Sequence, residues 1–107
     1  MLPRKRRLTK KEITELKEKR PRLIQGNFFG LVYQSQVQEQ KFGLIISNKI
    51  SKKATERNRV KRLLFEVVRE KLLDKEGKFL FLAKKKSLEG TREDFLKEME
   101  EFRKRLG

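Results

Sequence analysis

The chain has 107 residues, of which 42% are charged and 36% hydrophobic; 30 Lys and Arg against 15 Asp and Glu give a formal net charge of +15. That length is one domain, 1–107, with a core just large enough to fold without staples. With no Cys and no His, thiol nucleophiles, Cys or His zinc sites, disulfides and imidazole acid–base chemistry are excluded.

In chain order, residues 1–8 read as a flexible basic arm. Thr9-Lys10-Lys11-Glu12 matches a capping box, with Leu8 and Ile13 placed as a hydrophobic staple around it. The helix so opened runs to about Lys19, where Pro21 blocks its continuation. Its apolar edge is narrow, Ile13 and Leu16 only. Two strands follow, roughly Gly26 to Gln36 and Lys41 to Ser47, joined by the polar turn Gln38-Glu39-Gln40. Leu23 and Ile24 are candidates for an extended segment ahead of them, which would make three. Apolar residues fall on both faces of the first strand, implying a sheet covered on both sides for part of its length.

Asn48 to Lys53 is a basic loop, and a long helix runs from about Thr55 to Leu73 with Val60, Leu63, Leu64, Val67, Val68 and Leu72 as its core stripe. Gly77 ends that region. Phe79 to Ala83 is a continuous apolar run that fits a buried central strand, and Lys84-Lys85-Lys86 follows it. Thr91-Arg92-Glu93-Asp94 caps a final helix lined by Phe95, Met99, Phe102 and Leu106. The acids of that helix, Glu93, Asp94, Glu98, Glu100 and Glu101, read as surface ion pairs. The order α-β-β-β-α-β-α argues an α+β fold, a two-layer sandwich of a sheet with helices packed upon it.

The charge is unevenly placed. Residues 1–62 carry 18 Lys and Arg against 5 Asp and Glu, whereas 63–107 carry 12 against 10. Six of the basic residues fall between Ser51 and Arg62, where a helix begins, so a folded element presents them in fixed geometry. Such a comb suits a phosphate backbone. At 100° per residue Asn58, Arg62 and Arg69 form a stripe beside the apolar one, with Arg57 and Lys61 on the border. Arg binds phosphate bidentately, Lys acts as a point charge, and Asn58 offers a neutral donor and acceptor for a sugar hydroxyl or a base edge. The alternative reading of this segment is a solvated helix face. The aromatics Phe28, Phe29 and Tyr33 could stack on unpaired bases or fill the core. No phosphate-loop or dinucleotide glycine pattern occurs, and no apolar stretch could span a bilayer. A basic start without an apolar segment behind it is no secretory signal, so the expected location is cytoplasmic. The residues alone point to a nucleic-acid binder with no catalytic group of its own.

The segment Ser47-Asn48-Lys49 through Lys53-Ala54-Thr55-Glu56-Arg57-Asn58-Arg59-Val60-Lys61-Arg62-Leu63 resembles the signature of the bacterial ribonuclease P protein subunit. Arg7-Leu8-Thr9 opening the first helix, Gly43-Leu44-Ile45-Ile46 and the strand Phe79 to Ala83 with its lysines are similar to that family as well. The resemblance implies a left-handed strand–helix–strand crossover, against the usual right-handed rule. It implies partners, ribonuclease P RNA and precursor tRNA, with neither membrane nor DNA, and a reaction, removal of the tRNA 5′ leader, in which the RNA holds the catalytic groups and most of the bound Mg2+. RNA contacts would come from Lys53, Arg57, Asn58, Arg59, Lys61 and Arg62, with Lys49, Lys52 and Arg69 flanking them. A leader cleft between the first helix and the sheet would draw on Ile13, Lys17, Phe28, Phe29, Leu31 and Tyr33, depending on a one-residue register. The chain departs from the family in having Phe65 where Arg is common, removing a phosphate contact and offering stacking instead, and in having Ile13 and Lys17 where Phe is usual. Competing readings are a ribosomal-type structural RNA-binding protein and an architectural DNA binder.

Overall fold

A computed structural model of the chain describes residues 6–35 and 38–106. Its elements are α1 (Lys10–Glu18), β1 (Arg22–Gln25), β2 (Phe29–Gln34), β3 (Gln40–Ile45), α2 (Ala54–Lys71), β4 (Gly77–Ala83), a 3-10 turn (Lys85–Glu89) and α3 (Arg92–Leu106). The four strands form one sheet in the order β1-β2-β4-β3, with β4 antiparallel to β2 and parallel to β3. β4 is thus central, as its unbroken apolar run requires. The parallel pair β3 and β4 is joined through α2, a strand–helix–strand crossover.

Alternation along the strands decides which layer each side chain joins. Ile24, Phe29, Leu31, Phe42, Phe79 and Phe81 point to the face covered by α2 and α3, where they meet Val60, Leu64, Val67, Val68, Phe95, Met99 and Phe102. Val32 and Leu80 point to the opposite face, against Leu16 of α1, with Leu8, Ile13, Ile45 and Leu82 at the margin. The sheet is therefore covered on both sides, fully by two helices on one and partly by a short helix on the other.

The capping box of α1 is complete: Glu12 N–H donates to the Thr9 hydroxyl and Thr9 N–H to the Glu12 carboxylate. Three sequence expectations change. The strand expected from Gly26 begins at Phe29, and Leu23 and Ile24 form the third strand that the sequence offered as a candidate. Gly26 N–H donates to the Phe29 carbonyl at 2.9 Å, closing a turn that folds Leu23 and Ile24 back against β2 as an antiparallel partner. The basic arm is not free up to Leu8, because Leu8 N–H donates to the Phe42 carbonyl at 2.8 Å and Arg7 bridges the same residue beside β3; residues 1–5 of the arm lie outside the described residues. Gly77, expected as a terminator, opens β4 at φ 131°, where a Cβ would lie 2.6 Å from the Gln34 carbonyl oxygen.

The turn between β1 and β2 is held by Glu98, which was expected among the surface ion pairs. The residue is 7% exposed, and its carboxylate accepts the backbone N–H groups of Asn27, Phe28 and Phe29. Glu98 lies three residues after Phe95 and one before Met99, so helical spacing carries it onto the buried face of α3. Gly26 leaves room for it: a Cβ there would stand 2.5 Å from the Glu98 carboxyl carbon. Of the other acids, Glu100 pairs with Lys71 and Glu101 with Lys104 at the surface as expected, whereas Asp94 is half-buried and accepts the Thr91 N–H as a helix cap. None of the described helices is long and apolar enough to cross a membrane.

Candidate nucleic-acid interface

β3 and β4 run parallel and end together, Ile45 beside Leu82, while β2 starts there with Phe29 opposite Ala83. This end of the sheet consequently gathers the loop 46–53, the N-terminus of α2, the β1–β2 turn and the turn after β4. The loop is built by its own polar groups. Ser51, 9% exposed, accepts the Lys53 N–H at 3.1 Å and donates its hydroxyl to Glu56, and the Arg57 guanidinium donates to the Ser51 carbonyl at 2.7 Å. Glu56, the one acid in the basic run, therefore fastens the loop that feeds α2.

The sequence-predicted RNA ligands divide by this geometry. Lys49, Lys52, Lys53, Asn58, Arg62 and Arg69 are exposed and Lys61 is half-buried. None of these cations forms an ion pair with a described residue, whereas Glu66 and Glu70, farther along α2, are turned to Arg92 of α3. Arg57 is half-buried and anchored through one nitrogen, with the rest of its fork available. Arg59 departs from the expectation: its guanidinium donates to the carbonyls of Leu88 (3.4 Å) and Gly90 (2.9 Å), tying α2 to the turn after β4. Phe65 departs too. At 5% exposure it belongs to the main core, so it has no open ring face for a base.

On the other face, α1 leaves the β1 side of the sheet uncovered. Leu23 pairs in register with Val32, and Gln25 with Gly30, so all four side-chain positions share that face, and Leu23 is 56% exposed. Ile13 and the exposed Lys17 form the α1 wall of this groove, and Leu82 lies on its floor. The register thus assigns even-numbered residues of β2 to the groove. Phe29 and Leu31 are fully buried on the opposite face. Tyr33 packs there on Phe79, with ring centroids 4.9 Å apart, and donates its hydroxyl to the Glu76 carbonyl. Phe28 sits in the β1–β2 turn against Phe95. Four aromatic or apolar candidates for the groove are therefore elsewhere, and Leu23 and Leu82 were missed. The alternation of the strand would have found them had the β1–β2 turn been recognised.

α1 is fastened over the sheet by Glu12 and Lys41 of β3, 2.6 Å apart. Partial burial opposes ionisation of Glu12, but hydrogen bonds from Lys41 and from Thr9 outweigh it and hold the carboxyl below its usual range; the same contact holds the Lys41 ammonium above its own.

The family model for Ribonuclease P matches residues 2–107. The chain belongs to this family. The fold agrees with solved ribonuclease P proteins: with that of Staphylococcus aureus the TM-score is 0.80 at 16% identity, covering 94% of each chain. With that of Thermotoga maritima it is 0.78 at 22% identity, covering 92% of this chain and 96% of that one. No curated protein sequence matches the chain at a significant level. The exposed basic end and the groove beside α1 lie on different surfaces of one small sheet.

Proposed function

We propose that this chain is the RNA-binding protein subunit of ribonuclease P, which engages the catalytic RNA through the basic end and the 5′ leader of precursor tRNA through the groove beside α1. The observation that carries this reading is the set of exposed cations at the start of α2 that lack ion pairs with any described residue. A cation left unpaired on a folded element is disposed to exchange its counterions for phosphates, and release of the RNA's own counterions then drives association. Lys53, Arg57, Asn58, Lys61 and Arg62 are the contacts assigned to the RNA, with Lys49, Lys52 and Arg69 at the flanks. Leu23, Ile13 and Leu82 give the groove an apolar lining, and Lys17 a positive rim, which suits a single strand with splayed bases.

The protein's part in leader removal is then to reduce repulsion between two polyanions and to orient the substrate. Magnesium fits the RNA better than this chain. Many of the described carboxylates pair with Lys41, Arg103, Lys71 or Arg92 or accept backbone N–H groups, and no three acids converge among the described residues. The setting consistent with such a substrate is the cytoplasm.

The test is binding of precursor and mature tRNA to the ribonuclease P RNA with and without this protein. The reading expects the protein to tighten the leader-bearing substrate far more than mature tRNA, and Leu23→Ala to reduce that preference. An equal effect on both substrates would contradict the groove assignment.

A further inference from the structure

The three lysines after β4 do not act alike. Lys84 is half-buried and its ammonium donates to the Gly26 carbonyl at 2.6 Å, while its N–H donates to the Phe28 carbonyl at 2.9 Å. It stitches the turn after β4 to the β1–β2 turn. Ser87, at the centre of the 3-10 turn, is fully buried. Between these two anchors Lys85 and Lys86 are exposed. From the α2 side, Arg59 grips the far end of the same turn at the Leu88 and Gly90 carbonyls. The turn is therefore fastened at three places, and two lysines project from it at the end of the sheet that also carries the loop 46–53.

We propose that Lys85 and Lys86 form a second phosphate-contacting surface for the same RNA, and that Arg59 serves it as a positioning residue rather than as an RNA ligand. This rests on the reading of the α2 surface as an RNA interface and extends it across the end of the sheet. Five donors in a planar fork make Arg suited to clasping two carbonyls, which a Lys at that position could not do. Lys86 lies over the Phe28 ring with its nitrogen 5.6 Å from the centroid, an arrangement that limits its wandering without neutralising it. The acids nearby mark the border of the surface. Asp94 is engaged by the Thr91 N–H and hydroxyl, its ionised form favoured by those bonds, while Glu89 and Glu93 face solvent on the α3 side.

The experiment is a salt titration of binding to a bacterial ribonuclease P RNA transcript by the wild type, Arg62→Ala, Lys85→Ala/Lys86→Ala, Arg59→Ala, the Arg59→Ala/Lys85→Ala/Lys86→Ala triple variant, and Lys104→Ala as a charge control on α3. Removal of two phosphate contacts lowers the slope of log affinity against log salt by roughly 1.5, so between 50 and 200 mM salt the double variant loses roughly tenfold less affinity than the wild type. Arg59→Ala lowers the slope in the wild type but adds nothing to the double variant. A double variant indistinguishable from Lys104→Ala, alongside a weakened Arg62→Ala, overturns the second surface and leaves the α2 interface standing. A further unit of slope lost in the triple variant makes Arg59 a direct contact and overturns its positioning role. A wild type without salt-dependent binding overturns the underlying reading itself. Lys85 and Lys86 are exposed, so their replacement tests the proposal even if Arg59→Ala fails to fold.

Discussion

Arg57, Asn58 and Arg59 are consecutive, and each faces a different environment because successive helical residues are about 100° apart. Arg57 turns back to the Ser51 carbonyl, Asn58 faces solvent beside Arg62, and Arg59 reaches the turn after β4. The stripe of Asn58, Arg62 and Arg69 was readable from spacing alone. That Arg59 lies off the stripe was readable too, but its partners were not, since a 3-10 turn without periodicity gives no signal of where its carbonyls will stand. Replacement of Arg62 by Ala is expected to leave stability within about 0.5 kcal/mol, as for most exposed sites, and to lower the salt slope of RNA binding by about one unit. Thermal unfolding together with a salt series checks both. Tyr33 is the counterpart inside the fold: Tyr33→Phe removes the bond to the Glu76 carbonyl and should cost about 1 kcal/mol of stability, with leader affinity unchanged. A selective loss of leader affinity would return Tyr33 to the groove.

At the scale of elements, the long helices, the central strand and the capping box were legible because periodicity and cap chemistry are local. The β1–β2 turn was not, because it depends on Glu98 from the far end of the chain. Glu98→Ala removes the acceptor for three N–H groups and should cost about 3 kcal/mol, whereas Glu98→Gln retains one acceptor oxygen and should cost less. Denaturant unfolding of the two variants distinguishes them, and equal, small losses would contradict the clamp. The Glu12–Lys41 contact gives α1 a pH dependence. The Glu12 carboxyl is held below its usual range by hydrogen bonds that outweigh its partial burial, so its contribution is present above the ordinary carboxylate pKa and is lost as pH falls through the lowered value. Lys41 is raised by its bond to Glu12, so its contribution is complete below the ordinary Lys pKa and is lost as pH rises through the raised one. Unfolding followed across the acid range should show a stability step that Glu12→Gln removes; an unchanged step would assign it to other carboxylates. Because both partners are partly exposed, the step is expected to be small.

For the whole molecule, the charge asymmetry of the sequence becomes a spatial one. The basic run 49–62 and the lysines after β4 lie far apart in the chain, yet the parallel pairing of β3 with β4 delivers both to one end of the sheet. Composition could announce a polyanionic partner, but only the strand order could say which charges act together. The opposite surfaces of α2 and α3 are laced by Arg92 with Glu66 and Glu70, Arg103 with Asp74, and Lys71 with Glu100, which leaves that side near neutrality and concentrates the positive potential at the basic end. Cleavage of a precursor tRNA by a bacterial ribonuclease P RNA at low magnesium, with and without this chain, tests this account most directly. The account predicts that added protein restores accurate 5′ cleavage, that protein alone cleaves nothing, and that Arg62→Ala restores less. Cleavage unchanged by the folded protein and its cognate RNA would contradict it.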